Sequence, residues 1–306
     1  MDSTATSRVI LTGGSGMLGT AIRHALAAKG FSTLQLVRRK TQGKDQIAWD
    51  PTLDPAIPDP VPLEAARAAV HLSGANVAAH RWTEKYKHEI RASRVDSTRR
   101  LATALAALRQ PPTALVIASA IGIYGDRGDE TLDESSPAGD GFLASVCQAW
   151  EAAADSARQA GIRVLHMRFG VVLGPAEGAL QQMLPPFEVG LGARIGNGRQ
   201  WMSWIGLNDL VAAVLFALER QEISGPLNVT SPNPVTNADF TRTLARQLHR
   251  PAFLSVPAGA MKLLFGQMAD EALLASARVK PQKLLDAGFQ FSEPNLDQAL
   301  AAALRR

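Results

Sequence analysis

The sequence has one cysteine, six histidines and no long uninterrupted apolar run. A lone cysteine, Cys147, cannot form a disulfide within the chain, which is typical of proteins in a reducing compartment. No stretch approaches the roughly 20 apolar residues that span a bilayer, and residues 1–7 include an acid and lack the apolar core of a signal peptide. The histidines show no metal-ligand spacing. We therefore expect a cytoplasmic protein with no membrane segment and no bound metal.

The chain also lacks a strong excess of either charge. Its 32 basic and 28 acidic residues give a net charge of +4, and the arginines are spread along the sequence. A nucleic-acid-binding protein would show a longer basic stripe with interleaved aromatic residues, so we expect no nucleic-acid partner. What the chain does have is length. Its 306 residues, 46% of them hydrophobic, can bury a sizeable core and form two lobes.

A glycine cluster near the N-terminus is the most informative stretch. It reads T-G-G-S-G-M-L-G over residues 12–19, follows an apolar run at 8–11, and opens a segment with apolar residues at helical spacing. In a strand–turn–helix unit, such glycines permit a tight turn and let the backbone approach a diphosphate at the helix N-terminus. An ordinary glycine-rich turn is the alternative. We predict that a dinucleotide contacts Thr12, Gly13, Ser15, Gly16, Met17 and Leu18.

The first half of the chain alternates segments of strand and helix character, the pattern of a doubly wound α/β fold with a parallel sheet. We predict a Rossmann domain over residues 1–170 and a smaller, mainly substrate-binding C-terminal lobe over 171–306, with about 207–229 returning to the Rossmann sheet. Ligands of such sheets lie beyond the carboxyl ends of the strands. The predicted strands cover residues 8–11, 33–37, 46–49, 69–72, 114–119 and 163–169, and the longer predicted helices cover 83–108 and 142–160.

The residues after the second predicted strand favour NADP(H) over NAD(H). An acid at this place usually binds the free ribose 2′-hydroxyl. Here Val37 is followed by Arg38 and Arg39, with no acid before Asp45. A guanidinium can pair bidentately with a 2′-phosphate, so we predict that both arginines bind it. A solvated basic loop is the alternative.

Three further segments resemble motifs of the extended and atypical short-chain dehydrogenase/reductases. Residues 70–74 resemble the V-x-H-L-A-A/G strand end, 119–125 the S-S-x-x-V-Y-G segment of sugar-nucleotide epimerases, and 204–210 the F-I-H-V-D-D-L segment. A narrower resemblance is to the subgroup called "epimerase family protein", which is NAD-dependent epimerase/dehydratase-like. Its signatures are similar to Trp49-Asp50-Pro51, Arg81-Trp82-Thr83 and the stretches 124–130, 150–153, 198–205 and 287–289.

The resemblance implies further contacts to the cofactor and to a substrate. Cofactor contacts are implied at Leu72, Ser73, Gly74, Glu89, Arg94 and Ser119. Because Glu89 and Arg94 lie on the long predicted helix, a surface salt-bridge face is an equally good interpretation. Candidate substrate contacts are Arg81, Arg199 and Trp204, although tryptophan more often packs in a core.

The sequence departs from the reductases at their catalytic pair. In Tyr-x-x-x-Lys, the lysine lowers the tyrosine pKa and the tyrosine moves a proton. Here Leu143 and Cys147 fall at those two positions, and Ala120 falls where the usual Ser or Thr lies. Ser119 and Tyr124 are the remaining catalytic candidates. Their alternatives are a serine capping the strand end and a tyrosine packed under the loop.

These features predict an NADP(H)-binding protein that is an oxidoreductase or epimerase-like enzyme. Its small-molecule substrate would be a small carbonyl or sugar-like compound, and the protein would be a monomer or homodimer. The rival hypothesis is a non-catalytic NADP(H)-binding regulatory or interaction protein, which the missing Tyr–Lys pair favours.

Overall fold

The computed structural model describes residues 7–38, 40–175 and 177–305. The strands in those ranges are β1 (Arg8–Thr12), β2 (Ser32–Val37), β3 (Gln46–Ala48), β4 (Ala68–His71), β5 (Ala114–Ala120), β6 (Thr131–Leu132), β7 (Arg163–Phe169), β8 (Val171–Leu173), β9 (Ala193–Ile195), β10 (Trp201–Met202), β11 (Trp204–Gly206), β12 (Gly225–Val229), β13 (Val235–Thr236), β14 (Leu254–Val256) and β15 (Arg278–Val279). The α-helices are α1 (Met17–Ala28), α2 (Glu84–Ala106), α3 (Phe142–Ala152), α4 (Asp155–Gln159), α5 (Ala179–Glu188), α6 (Leu207–Glu219), α7 (Asn237–Gln247), α8 (Ala258–Phe265), α9 (Gln282–Asp286) and α10 (Leu296–Ala303).

A seven-stranded parallel sheet forms the centre of the molecule, in the order β12-β7-β5-β4-β1-β2-β3. The predicted doubly wound α/β fold is confirmed. The strand order changes direction between β1 and β4, because β2 and β3 continue on one side while β5 and β7 continue on the other. A crevice at such a switch point is where ligands of open α/β sheets bind.

The sheet is buried on both faces because successive residues of its strands point to opposite sides. On one face, Ile10 and Leu115 pack against α2, α3 and α4, with Leu101 and Trp150 in the same core. On the other face, Val9, Leu11 and Val116 pack against α1 and α6. Near-continuous apolar strands are therefore required at the centre of the sheet.

A second core lies in the C-terminal half, among α5, α7, α10 and the short strands β8 and β11. It contains Leu180, Trp204, Phe240, Leu244 and Leu300, which are all fully or almost fully buried. β8 and β11 pair in parallel, and β12 then joins the large sheet beside β7. The chain therefore passes from the first core to the second and back.

The predicted helix over 142–160 is divided in the structure. α3 ends at Ala152, and α4 begins at Asp155 after a tight turn in which the Ala153 N–H donates to the carbonyls of Ala149 and Trp150. The turn lets the fully buried Ala157 pack into the core beneath α2. Within the described part of the chain, none of the helices is long and apolar enough to cross a membrane.

Candidate cofactor site and adjoining cleft

The glycine turn between β1 and α1 is packed too closely to accept side chains. Gly13 has φ +69°, and a Cβ there would lie 3.0 Å from the backbone carbon of Leu72. A Cβ at Gly19 would overlap the carbonyl oxygen of Gly13. The turn therefore needs glycine at Gly13 for its conformation and at Gly19 for close packing of helix against strand.

The N-terminus of α1 opens toward the carboxyl ends of the strands. Its N-cap is Gly16, which offers no side-chain cap, and its first turn contains no acidic residue. The predicted cofactor contacts Ser15, Met17 and Leu18 lie at this end, where N–H groups without a partner inside the helix and the positive end of the helix dipole attract an anion. The residues present thus fit a dinucleotide diphosphate.

A buried polar chain fixes the ends of β1 and β4 beneath the turn. The Leu72 N–H donates to Thr12 Oγ1 (3.2 Å), which lies 2.7 Å from His71 Nδ1. His71 Nε2 lies 3.1 Å from Oγ of Ser97 on α2. Burial lowers the pKa of His71 to about 3, so its ring is neutral near pH 7. Thr12 thus contributes to the site by holding the turn against β4.

The structure places Arg38 on the surface just after β2, and Arg39 lies outside the described residues. Arg38 is close enough to Asp50 to add to the effect of the Thr52 hydrogen bonds, which chiefly lower the Asp50 pKa. The end of β2 therefore carries the exposed positive charge of Arg38.

The segment after β4 is held in place by Arg94. Its guanidinium donates to the carbonyls of Ala75 (2.9 Å) and Ile90 (3.2 Å) and lies over the ring of Trp150. A Cβ at Gly74 would lie 3.3 Å from the guanidinium carbon. Leu72 and Ser73 are partly exposed beside the glycine turn, whereas Glu89 is exposed on α2. Arg94 thus positions the loop that carries three of the predicted contacts.

Ser119 belongs to a buried hydrogen-bond network behind the strand ends. Its hydroxyl donates to Glu151 Oε1 (2.8 Å). Arg168 pairs with both oxygens of Glu151, at 2.9 Å each. Burial alone would lower the pKa of Arg168, but the bonds and charge of Glu151 more than offset this and raise it. Ser119 therefore offers lone pairs, rather than a free proton, to a ligand.

Tyr124 closes the other end of the same network. Its side chain is fully buried, its hydroxyl lies 2.8 Å from Asn228 Oδ1, and it accepts from Arg168 Nη1 at 2.9 Å. Burial raises the pKa of Tyr124, and the Arg168 charge only partly opposes this. A phenol enclosed in this way has no path to a substrate, so the geometry favours the alternative of a tyrosine packed under the loop.

A cleft of about 640 Å³ lies beyond the carboxyl end of β5. It separates the loop after β5 from the segment 258–276, and Leu143 lines it at the beginning of α3. Its charged lining is predominantly acidic: Asp126, Asp129, Asp140, Asp270 and Glu271 face Arg199 and Lys262. Lys262 pairs with Asp270 at 2.7 Å, which leaves the exposed Arg199 as the cation available to a ligand among the described lining residues.

The two positions of the missing catalytic pair are both on α3. Leu143 lines the cleft beside Gly122, and a Cβ added at Gly122 would lie 3.4 Å from the Leu143 Cβ. Cys147 is buried beside Ile123 and Tyr124, and burial raises its thiol pKa to about 12. Neither side chain can supply a proton or a fixed positive charge near neutral pH.

Residues 263–276, which we call the strap, close one side of the cleft. The guanidinium of Arg81 donates to the Leu263 carbonyl at 3.3 Å, and Lys87 donates to Gln267 at 3.3 Å. Met268 packs in a small core with the side chain of Trp82. The Arg81-Trp82-Thr83 signature therefore holds the strap, and Thr83 also caps α2.

Glu271 joins the strap to α3. Its carboxylate accepts the N–H groups of Phe142 (3.0 Å) and Leu143 (2.8 Å), and Gln267 donates to it at 2.8 Å. Reasoning from sequence missed Glu271 because it lies in no recognised motif, and its helix partner is about 130 residues away. Trp204, a predicted substrate contact, is instead fully buried in the second core, where its indole N–H donates to the Asn233 carbonyl.

Comparisons with known proteins agree with this architecture. The sequence model of the NAD dependent epimerase/dehydratase family matches residues 9–230, and that of a domain of unknown function matches 256–303. The chain belongs to the NAD dependent epimerase/dehydratase family. The resemblance stated from the motifs is thus confirmed. In the described part of this family member, no group of three or more histidine, cysteine or acidic side chains could hold a metal ion.

The relatives extend over the whole chain. The epimerase family protein Mb2239 of Mycobacterium bovis is 43% identical over 302 residues, 99% of each chain. The crystal structure of human epimerase family protein SDR39U1, determined with NADPH, has a TM-score of 0.87 at 36% identity and covers 97% of this chain and 99% of its own. A nucleoside-diphosphate sugar epimerase from Corynebacterium glutamicum has a TM-score of 0.79 at 36% identity, and this chain covers 59% of it.

Proposed function

We propose that this family member binds NADP(H) and transfers hydride between it and a small polar carbonyl or alcohol. The observation that carries the proposal is the continuity of two sites along one sheet edge. The N-terminus of α1 lies at the end of β1, and the cleft lies beyond β5. β4 separates these two strands in the sheet, so the distance between them is about two strand spacings, or ~10 Å.

A dinucleotide laid along that edge would span both sites. Its diphosphate would lie at Met17 and Leu18, and its reactive ring would reach the cleft beyond the carboxyl end of β5. When bound, NADP(H) would supply or accept the hydride. The chain's own contribution is to hold the diphosphate with backbone N–H groups and to orient a substrate between Leu143 and Arg199.

The charge at the end of β2 supports NADP(H) as the cofactor. Arg38 is exposed there, and Arg39 follows it in the sequence. The human relative was crystallised with NADPH, the cofactor that the sequence of this chain predicts. A guanidinium–phosphate hydrogen bond contributes about 1.5–3 kcal/mol.

The proton-transfer group cannot be the family's tyrosine in this chain. Leu143 takes its place, and Tyr124 is enclosed by Arg168 and Asn228. Asp140, an exposed carboxylate of the cleft, has no hydrogen-bond or ion-pair partner among the described residues. We propose Asp140 as the group that accepts the proton of a substrate alcohol.

A binding experiment tests the cofactor assignment. Titrations of NADPH and NADH into the purified protein should show a preference for NADPH, which Arg38→Glu should reduce about tenfold or more because a carboxylate repels the 2′-phosphate. Arg158→Glu, a matched charge reversal on the exposed surface of α4, should leave the preference unchanged. Absence of binding by either cofactor would refute the proposed function.

Turnover is tested by mixing the NADPH complex with aldehydes, ketones and nucleotide sugars while the absorbance of NADPH is followed, and NADP⁺ with the matching alcohols. Loss of alcohol oxidation in Asp140→Asn, with cofactor affinity retained, would support the catalytic assignment. Activity retained in that variant would refute it.

The second candidate function is a non-catalytic NADP(H)-binding protein. The observation that favours it is the combination of Leu143, Cys147 and the enclosed Tyr124, which removes the usual proton relay. Tight NADPH binding without turnover of any compound in either direction would support this alternative over the enzyme.

A further inference from the structure

The loop after β8 brings a carboxylate to the beginning of α1. Glu177 Oε2 accepts the N–H of Met17 at 3.2 Å. The neighbouring glycines lie against the same residue, since a Cβ at Gly174 would overlap the Met17 sulfur and one at Gly178 would lie 3.7 Å from its methyl group. A residue distant by 160 positions thus supplies the anion at this helix N-terminus.

The Met17 N–H, which donates to Glu177, is one that would donate to the diphosphate of a bound dinucleotide. Met17 is the first residue of α1, its N-cap Gly16 has no side chain to satisfy the free N–H groups, and the first turn lacks an acid. A carboxylate and a doubly charged diphosphate cannot share this N–H, because like charges at contact distance repel strongly. Binding of a dinucleotide therefore requires Glu177 to leave.

We propose that Glu177 is an internal competitor of the cofactor, which occupies the diphosphate position until a dinucleotide displaces it. This inference rests on the proposed NADP(H) binding. Competition by Glu177 makes the affinity for the cofactor lower than it would be with the glycine turn alone.

The bonding of Glu177 differs from that of carboxylates that stabilise the fold. Glu271 accepts two helix N–H groups and an amide of Gln267, and Asp209 accepts from Ser292 and Glu293. Glu177 is exposed, and among the described residues it has this one hydrogen bond and forms no ion pair. A single exposed contact at a helix end is weak, so a tighter ligand can replace it.

The contact also connects the cofactor site with the second core. α5 begins two residues after Glu177, and Leu180 and Leu184 of α5 are buried in that core. Release of Glu177 would therefore move the residues that precede α5, a helix of the C-terminal half.

Isothermal titration of NADPH into wild-type protein and Glu177→Gln tests the inference. The substitution removes the charge and keeps the size of the side chain. We expect the NADPH dissociation constant to fall about threefold to tenfold. Glu219→Gln, a matched change at an exposed ion pair with Lys29 beyond the far end of α1, should leave it unchanged.

A second ligand separates competition from a general charge effect. Adenosine 2′-phosphate carries the ribose phosphate but no diphosphate bridge, so its affinity should be the same in wild type and Glu177→Gln. Three results in Glu177→Gln would each overturn the competitor role while leaving NADP(H) binding intact. They are an equal gain in affinity for NADPH and adenosine 2′-phosphate, an unchanged affinity for NADPH, and a weaker affinity for NADPH. Failure of both proteins to bind NADPH would instead overturn the proposed function.

Discussion

The glycine turn and the cleft lie at the same edge of one sheet, yet they are built in different ways. The turn is made by consecutive residues, and its two essential contacts join Gly13 to Leu72 and to Gly19. The cleft is assembled from the loop after β5, the segment 196–200 and the strap. A local site can be inferred from a short motif, whereas a site made by distant segments depends on tertiary contacts that no motif records.

The largest effect should come from filling the turn. In Gly19→Ala the added methyl group would overlap the Gly13 carbonyl, and overpacking of this kind costs about 1–3 kcal/mol of unfolding free energy. NADPH affinity should fall at least about tenfold because the N-terminus of α1 is displaced. Urea unfolding and an NADPH titration measure both quantities.

Gly259→Ala is the matched control, since a Cβ there meets nothing within 4 Å and alanine is the better helix former. It should be as stable as wild type or slightly more so. If Gly19→Ala were as stable as wild type, the turn would be packed more loosely than the structure shows. Close local packing would then not distinguish the turn from the cleft.

A medium effect is expected from the strap. Glu271→Gln weakens the cap on α3 and should cost about 1–2 kcal/mol of unfolding free energy. Amide hydrogen exchange at Phe142, Leu143 and the strap should become faster, because this contact joins the two sides of the cleft.

The control is Glu64→Gln, because Glu64 also accepts two backbone N–H groups, from Arg109 (3.1 Å) and Gln110 (2.7 Å), but far from the cleft in sequence and in fold. A similar loss of stability is expected, without faster exchange in the strap. Strap exchange that rises equally in both variants would show that the effect is one of global stability.

Near neutral pH the smallest effect concerns the sheet that the two sites share, because it develops only as the pH falls. Burial lowers the pKa of His166 on β7 to about 4, below its ordinary value of about 6.5. Between these values the unfolded chain binds a proton that the folded chain does not, so stability falls as the pH drops through this window. This histidine should contribute a slope of about 1.4 kcal/mol per pH unit.

Urea unfolding from pH 7 to pH 4 measures this slope together with that of the buried His71, whose pKa is also lowered. His166→Leu should reduce the total slope by about 1.4 kcal/mol per pH unit, while His88→Leu, on the exposed face of α2, should reduce it much less. An unchanged slope in His166→Leu would mean that the imidazole is protonated in the folded protein.

Much of the fold could be predicted from the sequence because its determinants are local. The strand at residues 163–169 was predicted with the bounds of β7, and the helix predicted over 83–108 is α2 with slightly shorter ends. The division of the helix predicted over 142–160 was missed, because alanines at 152–154 are compatible with a continuous helix. Only the packing of α4 against the core requires the turn.

The candidate site was predictable in its cofactor half and much less so in its cleft. The roles of Arg81 and Trp82 depend on the strap, more than 180 residues away, and a motif cannot show such a partner. Trp204 and Tyr124 lie in recognisable motifs, but their burial follows from cores formed by distant segments. Motifs identify residues that matter without saying whether they face a ligand or the interior.

The polar chain beneath the turn has a direction, which is set at its far end. Ser97 donates its hydroxyl proton to the Ser93 carbonyl at 2.6 Å, so its oxygen accepts from His71 Nε2. In a neutral imidazole Nδ1 is then an acceptor, to which the Thr12 hydroxyl donates, while the Leu72 N–H donates to the Thr12 oxygen. A ring proton on Nδ1 instead would leave two acceptors facing each other at Ser97. The strand ends of β1 and β4 are thereby tied to α2 in the absence of a ligand, by hydrogens that all point one way.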